Sequence, residues 1–125
     1  MKLKQLLAGI FCVLLFGCAA DGLAAVKPEI DVEIINRSSR DMEKAKAHFG
    51  EYDCGWGWVI KNSTAVYAFY PHPITADVEL NWDEDGKHRV EKLDLSKIYP
   101  PGKSGRLTFT VYEGRVEVSF REKTP

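Results

Sequence analysis

The chain has 125 residues, of which 45% are hydrophobic and 28% charged, with 17 Lys and Arg against 18 Asp and Glu. That length fits one domain rather than two. A near-neutral balance without a basic tract excludes the phosphate-neutralising surface that nucleic-acid binding needs, so nucleic acid is not an expected partner.

Residues 1–17 begin with Lys2 and Lys4 and continue in an apolar run from Leu6 to Phe16. This is the charged start and short apolar stretch of an export signal. The run falls short of the ~20 apolar residues of a membrane-spanning helix, and Asp21 follows closely. Its end, Leu15-Phe16-Gly17-Cys18, resembles the lipobox of bacterial lipoproteins, in which a small residue precedes a cysteine that is acylated on sulfur before signal peptidase II cleaves. The resemblance implies that Cys18 becomes a lipid-bearing N-terminus and that the lipid bilayer is a partner through it. Ala19, standing where Asp would favour inner-membrane retention, implies the outer membrane facing the periplasm in a Gram-negative host. The alternative is cleavage near Ala19-Ala20 or Ala24-Ala25, which releases a soluble periplasmic or secreted protein.

Removing the first 17 of 125 residues leaves 108, carrying 15 basic and 18 acidic side chains for a net charge of −3. A chain of this size buries roughly 65% of its unfolded surface, enough for one modest core. Cys12 leaves with the signal and Cys18 is taken by lipid, so Cys54 alone remains. A lone thiol of this kind is expected to be buried and inert, with an intermolecular bridge as the alternative. Residues 18–28 lack any period and are expected to form a flexible tether, leaving 29–125 as a single domain.

The dominant pattern in that domain has period 2, the signature of strands with one buried face. Ile30, Val32 and Ile34 alternate with Asp31 and Glu33. Over 41–49 Ser39 offers a helix cap, yet Ala45, Ala47 and Phe49 alternate with Lys44, Lys46 and His48, which favours a strand. Aromatic and β-branched residues at 56–60 and 64–70 predict two more continuously buried strands around a Lys61-Asn62-Ser63 turn. Val78, Leu80 and Trp82 alternate with acidic and amide residues up to an Asp85-Gly86 turn. Residues 87–95 place Val90 on one face and Leu93 and Leu95 on the other, which predicts a bulge near Glu91 or Lys92. Leu107, Phe109 and Val111, then Val116, Val118 and Phe120, form a final pair joined at Glu113-Gly114. Seven or eight short strands predict an all-β, immunoglobulin-like antiparallel β-sandwich, with a small β-barrel as the alternative.

Candidate sites are few. At strand spacing Cys54, Trp56, Trp58 and Ile60 share one face, opposite Gly55, Gly57 and Val59, so the indoles form either core anchors or a stacking platform for a sugar or peptide. His72 sits between Pro71 and Pro73, in a loop suited either to recognition or to steering the chain across the sandwich. His48, His72 and His88 are scattered, Asp83, Glu84 and Asp85 look like a solvated turn, and Ser38, Ser39 and Ser104 lack a nucleophile-elbow context. No catalytic residue, metal site or cofactor is therefore expected. The expected function is a non-enzymatic binding or interaction module of the cell envelope that engages another envelope protein. The alternatives are an inhibitor or immunity protein acting against a hydrolase or toxin through loop 71–75 or 100–104, and a carbohydrate-binding accessory protein with Trp56, Trp58 or Trp82 in a pocket.

Overall fold

A computed structural model describes residues 27–124. The expected export signal, Cys18 and the expected tether up to residue 26 lie outside the described residues. The described chain forms eight strands: β1 Ile30–Asn36, β2 Met42–Phe49, β3 Tyr52–Val59, β4 Thr64–Tyr67, β5 Asp77–Glu84, β6 Lys87–Asp94, β7 Gly105–Tyr112 and β8 Arg115–Glu122. They make two four-stranded sheets, ordered β4-β1-β7-β8 and β3-β2-β5-β6, stacked as a sandwich and not closed into a barrel. Pairing is antiparallel throughout except between β1 and β7, which run parallel from Ile30↔Gly105 to Asn36↔Val111.

The alternation read in the sequence is the alternation of the core. Ile30, Val32 and Ile34 share one buried cluster with Leu80, Ala47 and Phe49 of the opposite sheet, and Leu107, Phe109 and Val111 belong to it too. Phe49 stands at the centre, with its ring 5.5 Å from that of Tyr70 and 6.4 Å from that of Phe109. Of residues 41–49, Met42–Phe49 form a strand, as the alternation favoured, because only an extended chain puts Ala45, Ala47 and Phe49 together on the buried side.

Three local expectations need correction. No bulge interrupts β6: its register with β5 runs unbroken from Asp77↔Asp94 to Glu84↔Lys87, and Val90 simply points to solvent from an edge strand. The irregularity lies instead between β2 and β3, where Lys44 at φ 53° and Gly57 at φ 78° break the ladder. A bulge shifts the side-chain phase, and this one lets Met42 and Ala45, three apart in sequence, both point inward. The second correction concerns 64–70, which is not a buried strand. β4 stops at Tyr67, is an edge strand with Val66 and Tyr67 exposed, and gives way to a turn through Phe69.

The third correction is the face shared by the β3 aromatics. Gly57 resets the alternation, so Trp56 turns inward and Trp58 outward, Val59 is buried, and Ile60 is exposed.

Candidate functional site

The two ends of the sandwich are built differently. At one end the strands close through short turns: Asp85 and Gly86, both at positive φ, carry β5 into β6, and Glu113-Gly114 carries β7 into β8. Asn36 is fully buried there and ties three segments together. Its Oδ1 accepts from the Ser38 N–H (3.0 Å) and hydroxyl (2.7 Å), and its Nδ2 donates to the carbonyls of Arg40 (2.8 Å) and Val59 (3.0 Å).

At the other end, where the described chain begins, β2 turns tightly into β3 through Gly50 and Glu51, but the β4–β5 and β6–β7 connections are longer and open around a cleft. Loops 71–75 and 100–104 form two of its walls and residues 27–30 a third, enclosing about 530 Å³. The lining is mainly apolar and aromatic, with Ile30, Phe69, Tyr70, Ile74, Tyr99 and proline rings, and Lys27, Glu29 and His72 are its charged and polar side chains. A cavity of this size and composition suits an apolar ligand.

Each wall is held by backbone hydrogen bonds. The Ser104 hydroxyl accepts from the Glu29 N–H (2.9 Å), and the Ser104 carbonyl accepts from the Lys123 N–H (2.8 Å), so this serine has a structural task. Tyr70 N–H donates to the Ile30 carbonyl (2.8 Å), and the Tyr99 hydroxyl donates to the Lys103 carbonyl (3.1 Å). Gly105 opens β7 with its N–H on the Glu29 carbonyl (3.0 Å), and only glycine fits there because a Cβ would collide with the Arg121 carbonyl oxygen.

Phe69 is the anomaly at the lip. Its φ of 53° lies in the left-handed region, its ring is 69% exposed, and its N–H donates to Asp31 Oδ1 at 3.0 Å. An L-residue in that region costs roughly 1–2 kcal/mol, so the fold holds an exposed aromatic ring at an unfavourable backbone angle.

The residues singled out in the sequence do not gather at one place. His72 lines the cleft, with its ring stacked on Tyr52 at 3.9 Å and edge-on to Tyr70. Trp56 packs against the core, edge-on to Phe109 at 6.1 Å, with its indole N–H donated to the Val32 carbonyl (3.1 Å). Trp58 stands on the outer surface with its N–H on Asp41 (3.2 Å), and Trp82 is buried with its N–H on Glu84 (3.0 Å). The three indoles therefore form no shared platform, and none lines the cleft. His48 pairs with Asp53 and His88 with Asp83, each across a separate strand pair.

Two buried groups complete the picture. Cys54 is fully buried, and burial pushes its thiol up to about 12. The Tyr70 hydroxyl is likewise pushed up to about 12, first by burial and then by the nearby Cys54 and Asp53, and it has no hydrogen-bond partner among the described residues.

What the sequence did not reveal is Phe69, Ile74 and Tyr99 as lining residues of one cleft. The available signal was the pair of proline-bearing loops, whose convergence depends on the strand order.

No family model and no curated protein matches the chain. Among solved structures it is similar to the NMR structure of a protein from Eubacterium rectale, with a TM-score of 0.51 and 10% sequence identity over 78% of this chain and 92% of that one. At that identity the likeness speaks to the fold alone.

Proposed function

We propose that this protein is a lipid-anchored, non-enzymatic binding module of the bacterial cell envelope, carried on acylated Cys18 and binding an apolar ligand in the cleft at the end where its chain begins. The observation that carries the binding reading is the convergence of loops 71–75 and 100–104 with residues 27–30 around an apolar cavity of about 530 Å³. The lipobox-like Leu15-Phe16-Gly17-Cys18 supports the anchor. The lining is mostly aromatic and aliphatic; of its charged and polar side chains, Lys27, Glu29 and His72, the carboxylate is paired with Lys123 (2.8 Å), and that composition favours binding over acid–base chemistry.

The same observation weighs against the inhibitor alternative. Loops 71–75 and 100–104 wall a cleft beside the tether instead of protruding at the far end, where an incoming hydrolase would meet the protein first. The carbohydrate alternative loses support as well, because Trp56 and Trp58 point to opposite sides of β3.

Two measurements test the proposal. Intact mass spectrometry of the membrane fraction is expected to find a chain that starts at Cys18 and carries acyl groups; full-length, unacylated chain in the cytosol would refute the anchor. An apolar fluorescent reporter is expected to bind the native protein with 1:1 stoichiometry and to be lost in Ile74→Glu. Equal binding by the wild type and that variant would refute the cleft as the site.

A further inference from the structure

Resting on the anchored reading above, we infer that the cleft takes up one acyl chain of a bilayer phospholipid, with Phe69 set into the headgroup boundary as its lip. Four observations lead there.

The first is position. Nine residue steps separate Cys18 from Lys27, which lines the cleft. Nine steps reach at most about 32 Å, so residues 27–30 cannot stand far from the acylated cysteine. A domain tethered so closely turns its attached end to the membrane, and the cleft opens at that end.

The second is Phe69. An exposed phenyl ring at φ 53° does nothing for the fold that glycine would not do with less strain. Its exposure becomes favourable once the ring leaves water for lipid, which offsets the backbone strain, and aromatic rings are among the side chains that settle at that boundary.

The third is the rim. Glu29 is paired with Lys123 at 2.8 Å and Glu122 lies 3.8 Å from Lys103, so carboxylates beside the opening are neutralised, while Lys27 adds a cation. Anionic headgroups therefore meet no net repulsion there.

The fourth is the interior. Ile30, Ile74, Tyr99 and the proline rings present the apolar, largely hydrogen-bond-free wall that a methylene chain matches and that a sugar or polar peptide does not. Each methylene transferred from water contributes about 0.8 kcal/mol. The lipid comes from the surrounding bilayer, since the chains on Cys18 are committed to holding the anchor.

The test uses acylated protein reconstituted into phosphatidylethanolamine and phosphatidylglycerol vesicles that contain a trace of phospholipid with a photoactivatable diazirine midway along one acyl chain. Adducts are mapped by mass spectrometry. They are expected on residues 69–74 and 98–102 and not on far-end residues 83–87. Phe69→Gly is expected to keep or raise the urea midpoint while lowering cleft adducts at least threefold, a split that a purely structural role for this residue would not give. Ile74→Glu, at a half-buried position, is expected to lower them at least fivefold. Cleft peptides labelled no more than residues 83–87, or wild-type labelling in Phe69→Gly, would overturn the inference; occupation of the cleft by the anchor's own chain would give the first of these results. Protein that floats with the vesicles but shows an unlabelled cleft refutes this inference alone. Protein that carries no acyl mass and fails to float refutes the anchored reading beneath it.

Discussion

Asn36 is the residue on which the closed end of the sandwich depends, and replacing it with alanine tests that directly. Its side chain is fully buried at the end of β1 and makes four hydrogen bonds, two as acceptor from Ser38 and two as donor to the Arg40 and Val59 carbonyls. Its own backbone joins the turn after β3, through its N–H to the Ser63 carbonyl (2.9 Å) and its carbonyl to the Asn62 N–H (2.7 Å). A typical intramolecular hydrogen bond contributes about 1 kcal/mol net, and a buried group left without a partner costs a further 1–3 kcal/mol, roughly. Loss of the bonds to Ser38 and Arg40 falls partly on groups that water can reach, whereas the Val59 carbonyl sits in a buried contact. The expected cost of Asn36→Ala is therefore about 3–4 kcal/mol, equivalent to a fall in Tm of about 15 °C or more for a domain of this size. Asn36→Asp sharpens the test, because it keeps the volume but turns an oxygen toward two carbonyl oxygens. Burial raises the pKa of that carboxyl above its unfolded value. The variant's deficit should then be greatest at neutral pH and shrink as pH falls, where the protonated acid regains one donor. Urea unfolding followed by tryptophan fluorescence at pH 4.5 and 7.5 reads both effects. A cost below about 1 kcal/mol for Asn36→Ala, or an Asn36→Asp deficit that does not change with pH, would show that the network is decoration.

Other perturbations reach different parts of the molecule. Gly105→Ala is expected to lose about 3 kcal/mol or more, read as a lower urea midpoint, because the new methyl meets the Arg121 carbonyl oxygen at 2.1 Å and Phe120 Cζ at 2.7 Å, and backbone yields poorly. Tyr70→Phe removes a buried hydroxyl that has no partner among the described residues and should be neutral or stabilising by about 1 kcal/mol on the same measurement. The Cys54 thiol titrates at about 12 when folded against 9.0 when free, so a thiol reagent at pH 8 should label it only through unfolding, at a rate that climbs with urea. The raised value also fixes a sign: the unfolded thiol releases its proton from pH 9 while the folded one holds it to about 12, so stability declines as pH rises across that interval. Cys54→Ala should flatten that alkaline slope in part, because Tyr70, also pushed up to about 12, and the raised Tyr99 and Lys123 contribute with the same sign.

The two-sheet architecture was legible because period-2 patterning survives wherever a strand has one buried face, as in β1, β5, β7 and β8. It misled where the backbone departs from that period. Trp56 and Trp58 look like neighbours on one face until Gly57 adopts φ 78°, and nothing in the order of residue types tells a glycine that resets the phase from one that merely sits in a strand. Residues 64–70 are apolar enough for a buried strand, yet their place at the sheet edge exposes Val66, Tyr67 and Phe69. Edge or interior position is a property of strand order, which depends on pairings between distant segments. The parallel match of β1 with β7, over 70 residues apart in sequence, is such a pairing, and it brings Ile30 beside the loop that precedes Gly105 to make the cleft.

That pairing also explains why the two ends of one sandwich differ. An antiparallel hairpin closes in two residues, as at Asp85-Gly86, and leaves no room between its strands. Parallel neighbours cannot be joined that way, because the chain must return along the whole sheet before starting the second strand. β1 and β7 therefore both begin at the same end, and the segment arriving there from β6, between Asp94 and Gly105, is long and forms no strand. Irregular segments cannot pack as tightly as a turn, and the proline rings of loops 71–75 and 100–104 hold them apart at fixed angles. The cleft is thus a geometric consequence of one parallel strand pair in an otherwise antiparallel fold.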